Sequence, residues 1–121
     1  MYVKTSEPQI IIAAGNKPKR IEEYVGRVAT SNHTVSIARM ISPGGWLEPA
    51  QIPEFDEYSI VLRGELHVKI DDGETIVLTA GQAISLKAGV KVQYSTPNAD
   101  GAEYISVCLP AFGPETVHRQ D

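Results

Sequence analysis

The chain has 121 residues, 42% of them hydrophobic and 21% charged, with 15 acidic against 11 basic side chains and a formal net charge of −4. That length fits one domain, and the apolar content with so small a net charge excludes a disordered chain. The acidic balance argues against a nucleic-acid partner. The longest apolar run, Ile10 to Ala14, falls far short of the roughly 20 residues that cross a bilayer, so no membrane partner is expected.

Cys108 is the single cysteine, which excludes an internal disulfide and points to a reducing, cytoplasmic setting; no signal-peptide pattern opens the chain. Tyr2 and Ile10-Ile11-Ile12 read as an apolar, strand-like arm, and an unpaired edge of that kind favours a homodimer. Pro18 to Val25 suggests a short helix of about two turns, with Lys17, Lys19 and Arg20 as a solvated basic patch. Residues 1–34 thus form an N-terminal arm with a short helical segment.

From residue 35 the chain reads as strands punctuated by turns. Val35 to Ile41 alternates, placing Val35, Ile37, Arg39 and Ile41 on one face, so that Arg39 either enters the interior or caps its end. Tyr58–Arg63 and Leu66–Ile70 read as two strands broken at Gly64. In the second, Leu66, Val68 and Ile70 face inward and His67 and Lys69 outward. Asp71-Asp72-Gly73-Glu74 is a hairpin turn, because Asp-Gly tolerates positive φ. Further strands follow at Thr75–Leu78, Ala83–Leu86, Lys91–Ser95 and Glu103–Leu109, and residues 111–121 form a tail. This is an all-β barrel or sandwich over residues 35–110, with a short N-terminal helical segment.

Eight of the fifteen acids fall between Glu48 and Glu74, and a solvated acidic rim explains them as well as a cation site does. His33, His67 and His118 show no ligand spacing, and Cys108 lacks a partner motif and reads as a buried thiol.

Several motifs carry a resemblance. Gly45, Gln51, Pro53, Glu57 and Gly64 keep the spacing G-x5-H-x-H-x3-E-x6-G with glutamine and proline in the histidine positions. Ala80-Gly81-Gln82, Gly89, Val92 and Thr96 follow where a second motif would place its turn, third histidine and asparagine. Asp56-Glu57-Tyr58-x3-Leu62-x-Gly64-Glu65-Leu66-x-Val68 adds the most specific run. On these residues the chain resembles the cupin superfamily of small RmlC-like domains, and most of all the single-domain cupins grouped with ethanolamine-utilisation proteins. The resemblance implies a double-stranded β-helix, a jelly-roll-like barrel, with a metal at its mouth held by three histidines and a glutamate.

Of that set only Glu57 remains, so no metal is expected; the residual alternative is a metal on Glu57 with oxygen or water ligands. Counting in steps of two from Glu57 and Val92 brings Tyr94 inward, and Gln51 lies nearby on the resemblance. Arg39, Gln51, Glu57 and Tyr94, with Trp46 at the mouth, would then surround a cavity for a small polar or anionic organic molecule. The alternative is a metal-independent lyase or isomerase with Glu57 as general acid/base and Tyr94 or Arg39 stabilising charge. A metal-dependent cupin oxygenase is more distant. A structural Glu57–Arg39 ion pair is the competing reading of the same residues.

Overall fold

The computed structural model describes residues 1–120; Asp121, the end of the expected tail, lies outside the described residues. It contains eleven strands: β1 (Gln9–Ile11), β2 (Arg20–Val25), β3 (Ser36–Ser42), β4 (Trp46–Leu47), β5 (Ala50–Gln51), β6 (Asp56–Ile70), β7 (Thr75–Thr79), β8 (Ala83–Leu86), β9 (Val92–Thr96), β10 (Ala102–Leu109) and β11 (Arg119–Gln120). All pair antiparallel in the order β1-β2-β3-β10-β6-β9-β5-β11, with β4 on β9 and both β7 and β8 on β6. Among the described residues no helix is long and apolar enough to cross a membrane.

The long strand β6 organises the curl. Its first half, up to Arg63 and Gly64, pairs with β10 and β8, and from Glu65 onward it pairs with β7 and β9. The two strands expected on either side of Gly64 are therefore one, bent at that glycine. Gly64 has φ +79°, and a Cβ there would stand 2.1 Å from the Gly101 carbonyl oxygen. A register shift opposite Glu103/Tyr104 accompanies the bend. Such bulges turn a sheet sharply without breaking its ladder.

The expected helix at residues 18–25 does not form. Arg20–Val25 is β2, paired on both sides, to β1 and to β3. The proline and paired glutamates suit a helix start, but Ile21, Glu23 and Val25 also alternate. Two sheet neighbours decide in favour of the strand, since tertiary pairing overrides weak local propensity. The chain after residue 110 also returns to the sheet. β11 pairs β5, and Val117 packs with Phe55 and Cys108 in a small core that Phe112 flanks, Phe55 and Phe112 meeting edge-to-face at 6.1 Å.

The larger core is built from Trp46, Val61, Leu66, Val68, Leu78, Val92, Tyr94, Ala102 and Tyr104. Leu66 and Val68 face it as the alternation of β6 requires, while His67 points outward to Glu65, 2.8 Å away. The hairpin after β6 is present, but positive φ falls on Asp71 and Asp72 rather than on Gly73. This is the primed geometry that matches strand twist, and aspartate tolerates it.

Candidate functional site

The inner faces of β2, β3, β6, β9 and β10 enclose a cavity of about 70 Å3. Ser36, Ala38 and Met40 face it from β3, Tyr104, Ser106 and Cys108 from β10, Glu57 from β6 and Tyr94 from β9; Ile11, Ala13, Ala14 and Ile21 close its apolar side. The small inner side chains of Ser36 and Ala38 leave room that larger ones would fill. A water molecule needs roughly 10–15 Å3 of such space, so the cavity admits a few waters or a short organic molecule.

Glu57 and Tyr94 are brought together as expected. The Tyr94 hydroxyl donates to Glu57 Oε1 at 2.7 Å, and the Cys108 thiol donates to Glu57 Oε2 at 3.8 Å. Register explains the meeting: Glu57 stands opposite Cys108 across the β6/β10 ladder, while the bend at Gly64 swings the second half of β6 round to carry β9. Burial pushes the Glu57 carboxyl above the usual carboxylate range, and the Tyr94 hydrogen bond and the Lys19 charge pull it back only in part. Burial first, and the neighbouring Glu57 second, push the Tyr94 phenol and the Cys108 thiol well up, so both stay protonated donors at neutral pH.

Gln51 is buried on the same cavity wall. Trp46 is not on that wall: its ring lies in the core, its indole N–H donates to the Ala14 carbonyl at 3.3 Å, and the Lys19 ammonium sits 4.1 Å from its centre. Arg39 does not enter the cavity. Ser36, Ala38 and Met40 are the inward residues of β3, so the register of one residue turns Arg39 outward. There it donates to Glu103 at 2.9 Å and stands 3.6 Å from Glu22. A Glu57–Arg39 ion pair is consequently not formed.

Four further charged residues line the cavity that strand alternation did not single out, Arg119 of β11 among them. Lys19, read as solvated, turns inward, donating to the Tyr104 hydroxyl at 2.8 Å and lying over the Trp46 and Tyr104 rings. Glu48, read within an acidic rim, faces the cavity from the short link between β4 and β5. Its Oε2 is buried and without a hydrogen-bond partner. Burial, opposed by Lys19, Arg119 and the Tyr94 backbone and reinforced by the Glu57 charge, pushes its carboxyl up to about 7. Glu23 also faces inward, but its Oε1 accepts from the Val28 N–H at 3.3 Å.

The metal that the resemblance implies does not fit these residues. Of the four ligand positions, Pro53 and Val92 offer no donor and Gln51 a weak one. Both oxygens of Glu57 already accept hydrogen bonds. His33, His67 and His118 lie apart: the His33 carbonyl accepts from the Ala111 N–H, while His67 and His118 pair with Glu65 and Glu54. Among the described residues no three His, Cys, Asp or Glu side chains are grouped to hold a metal ion.

Comparison with known proteins bears on the family. Acetate kinase EutQ of Salmonella typhimurium is 35% identical over 57 residues, covering 47% of this chain and 24% of that protein. Endoribonuclease YbeY of Myxococcus xanthus is 46% identical over 102 residues, covering 84% of this chain and 34% of that protein. The chain thus spans about a third or less of these curated relatives. The crystal structure of an RmlC-like cupin from Shewanella frigidimarina superposes with a TM-score of 0.69 at 24% identity, covering 86% of this chain and 85% of that one; the likeness concerns the fold. The family model for the cupin domain matches residues 39–108, from within β3 to within β10. With more than half of its length matched and the curled antiparallel sheet in place, the chain belongs to the cupin family.

Proposed function

We propose that this cupin binds a small polar organic molecule in its barrel and does so without the metal usual in the family. One observation carries the reading: a buried Glu57 is held by Tyr94 and Cys108 on the wall of a mostly apolar cavity, and among the described residues no metal-ligand set converges. Concave, mostly apolar sites with a few convergent polar groups are the common form of small-molecule site. The test joins elemental analysis of untagged protein, after incubation with divalent transition metals, to thermal shift against small acids, alcohols, sugars and amines. The expected result is far less than one equivalent of metal together with stabilisation by at least one organic compound. A full equivalent that disappears in Glu57→Ala overturns the metal-free reading.

A second reading, a metal-independent lyase or isomerase, is supported by the Glu48 carboxyl, poised near neutral pH beside Glu57. Here Glu57 would serve as the general acid/base with Tyr94 assisting, and Glu48 would share the proton. Consumption of the stabilising compound, followed by NMR, separates this reading from plain binding. The endoribonuclease and acetate kinase names belong to proteins that extend well beyond the match, and the carboxyl-rich cavity supports a small ligand rather than nucleic acid. We further propose a homodimer in a reducing, cytoplasmic setting. β1 ends the sheet with one edge unpaired, Ile10 and Ile12 are exposed beside it, and the only cysteine is a buried free thiol.

A further inference from the structure

We infer that Glu48 is the carboxyl that meets the ligand in this cavity, its buried and unpartnered Oε2 accepting a hydrogen bond from the hydroxyl or ammonium head of a short organic molecule. The inference rests on the ligand-binding reading of the cavity and deepens it by naming the contact and the chemical class.

Three carboxyl groups line the cavity, and two of them are already engaged. Glu57 accepts from Tyr94 and Cys108, and Glu23 from the N–H of Val28 in the following loop. Glu48 alone presents a buried oxygen that nothing satisfies. An acceptor kept from water and left without a donor costs about 1–3 kcal/mol, more when charged, so native structures retain one only where something else supplies the donor. No side-chain donor on the wall bonds to that oxygen. The Lys19 ammonium is committed to the Tyr104 hydroxyl and to the faces of two rings, and the Tyr94 hydroxyl to Glu57. Whatever fills the cavity, water or an organic molecule, supplies the missing donor, and an organic head that does so displaces water from Glu48.

Charge and shape narrow the class. The three carboxyl groups outnumber the two cations on the wall, Lys19 and Arg119, which disfavours an anionic head at Glu48. Ile11, Ala13, Ala14 and Ile21 offer an apolar wall suited to a short aliphatic stem. A neutral alcohol and a protonated amine share the required donor. A ligand of this class uses Glu57 only as a support that stays bonded to Tyr94 and Cys108.

Three probes matched in size and differing in the head group test this: propan-1-ol, propylamine and propanoate. Each is titrated into the protein with the glutamate carboxyl carbons labelled, and binding is read from NMR shifts of the wild type, Glu48→Gln and Glu48→Leu. The expected result is that propanol or propylamine binds and moves the Glu48 carboxyl resonance, with propanoate weaker. Losing a hydrogen bond to a charged acceptor corresponds to roughly tenfold or more in affinity, so Glu48→Leu should weaken both donors by at least that much. Glu48→Gln should weaken the amine more than the alcohol, because the amide keeps an acceptor and loses the charge. If Glu48→Leu does not fold, the wild-type Glu48 resonance and the Glu48→Gln comparison still decide. Binding that leaves the Glu48 resonance and the Glu48 variants unaffected, or propanoate binding best, overturns the assignment of Glu48 while leaving the cavity as the site. Binding of none of the three overturns this inference; if the wider panel of acids, sugars and amines also fails to stabilise the protein, the ligand-binding reading falls with it.

Discussion

Ionised Glu48 should be a burden to the fold, and Glu48→Gln should lift it in a way that depends on pH. A tenfold change in proton affinity is about 1.4 kcal/mol. Holding the carboxyl at about 7 rather than at its ordinary 4.5 therefore makes the charged form cost roughly 3 kcal/mol. The direction follows from proton counting. Below pH 4.5 the group is protonated both folded and unfolded, and it costs nothing. As pH rises from 4.5 to about 7 the unfolded chain releases the proton while the folded chain keeps it, so stability falls. Above about 7 both forms are ionised and the full cost remains. Glu57, also raised by burial, adds to the same slope in the wild type. Glu48→Gln has no charge to bury, so the variant should gain on the wild type by about 3 kcal/mol across this window, whatever fixed difference the amide introduces. Urea unfolding on either side of the window reads this as a shift in relative midpoint of roughly 1–3 M. Stability curves for the two proteins that stay parallel in pH would refute the reasoning, since Glu48 would then ionise as freely as a solvated carboxylate.

Other outcomes follow from the same geometry. The Cys108 thiol, pushed up by burial and donated to Glu57, should resist alkylation by iodoacetamide in the native protein and react only as fast as the chain unfolds; rapid labelling of the folded state would contradict its placement. Gly64→Ala should cost at least about 1–3 kcal/mol in urea unfolding, because the new Cβ meets the Gly101 carbonyl at a positive φ. A variant as stable as the wild type would mean that β6 does not bend there. Light scattering should report a dimer for the wild type, and Ile10→Lys at the unpaired edge of β1 should shift it to monomer; a monomeric wild type removes that proposal.

What was legible beforehand was whatever depends on period and local chemistry. Apolar alternation in Leu66-His67-Val68 marks which face of that half of β6 is buried, while Glu57 was singled out by the motif resemblance and Tyr94 by counting in twos from Val92. What was not legible depends on which strand lies beside which. Lys19 has the composition of a surface residue, and only the pairing of β2 with β1 and β3 brings it over the cavity. Glu48 sits in no strand. It faces inward because β4 and β5, on either side of it, both pair with β9, and the surrounding acids make it look like one more member of a solvated rim.

The misplacement of Arg39 has a different physical origin, and it explains why the hydrophobic pattern misleads in a barrel with a hollow interior. Val35, Ile37 and Ile41 are larger and more apolar than Ser36 and Ala38, so a rule that puts bulk inside selects the wrong face of β3. That rule presumes a filled core. Here the space behind β3 is a cavity, and small or polar side chains such as Ser36, Ala38 and Ser106 are what keep it open. The bulky residues go outside. In the β6/β10/β3 ladder, Tyr58 stands beside Val107 and Ile37, and Ile60 beside Ile105 and Arg39, with Tyr58 and Ile60 exposed. The Glu22–Arg39–Glu103 cluster supplies charge to that apolar outer surface. The inversion of bulk at Ser36 and Ala38 is thus what leaves the cavity open beside β3. With Ser36 inward and Ile37 only half-buried, the strand gives up buried apolar area and leaves a carboxyl-lined space.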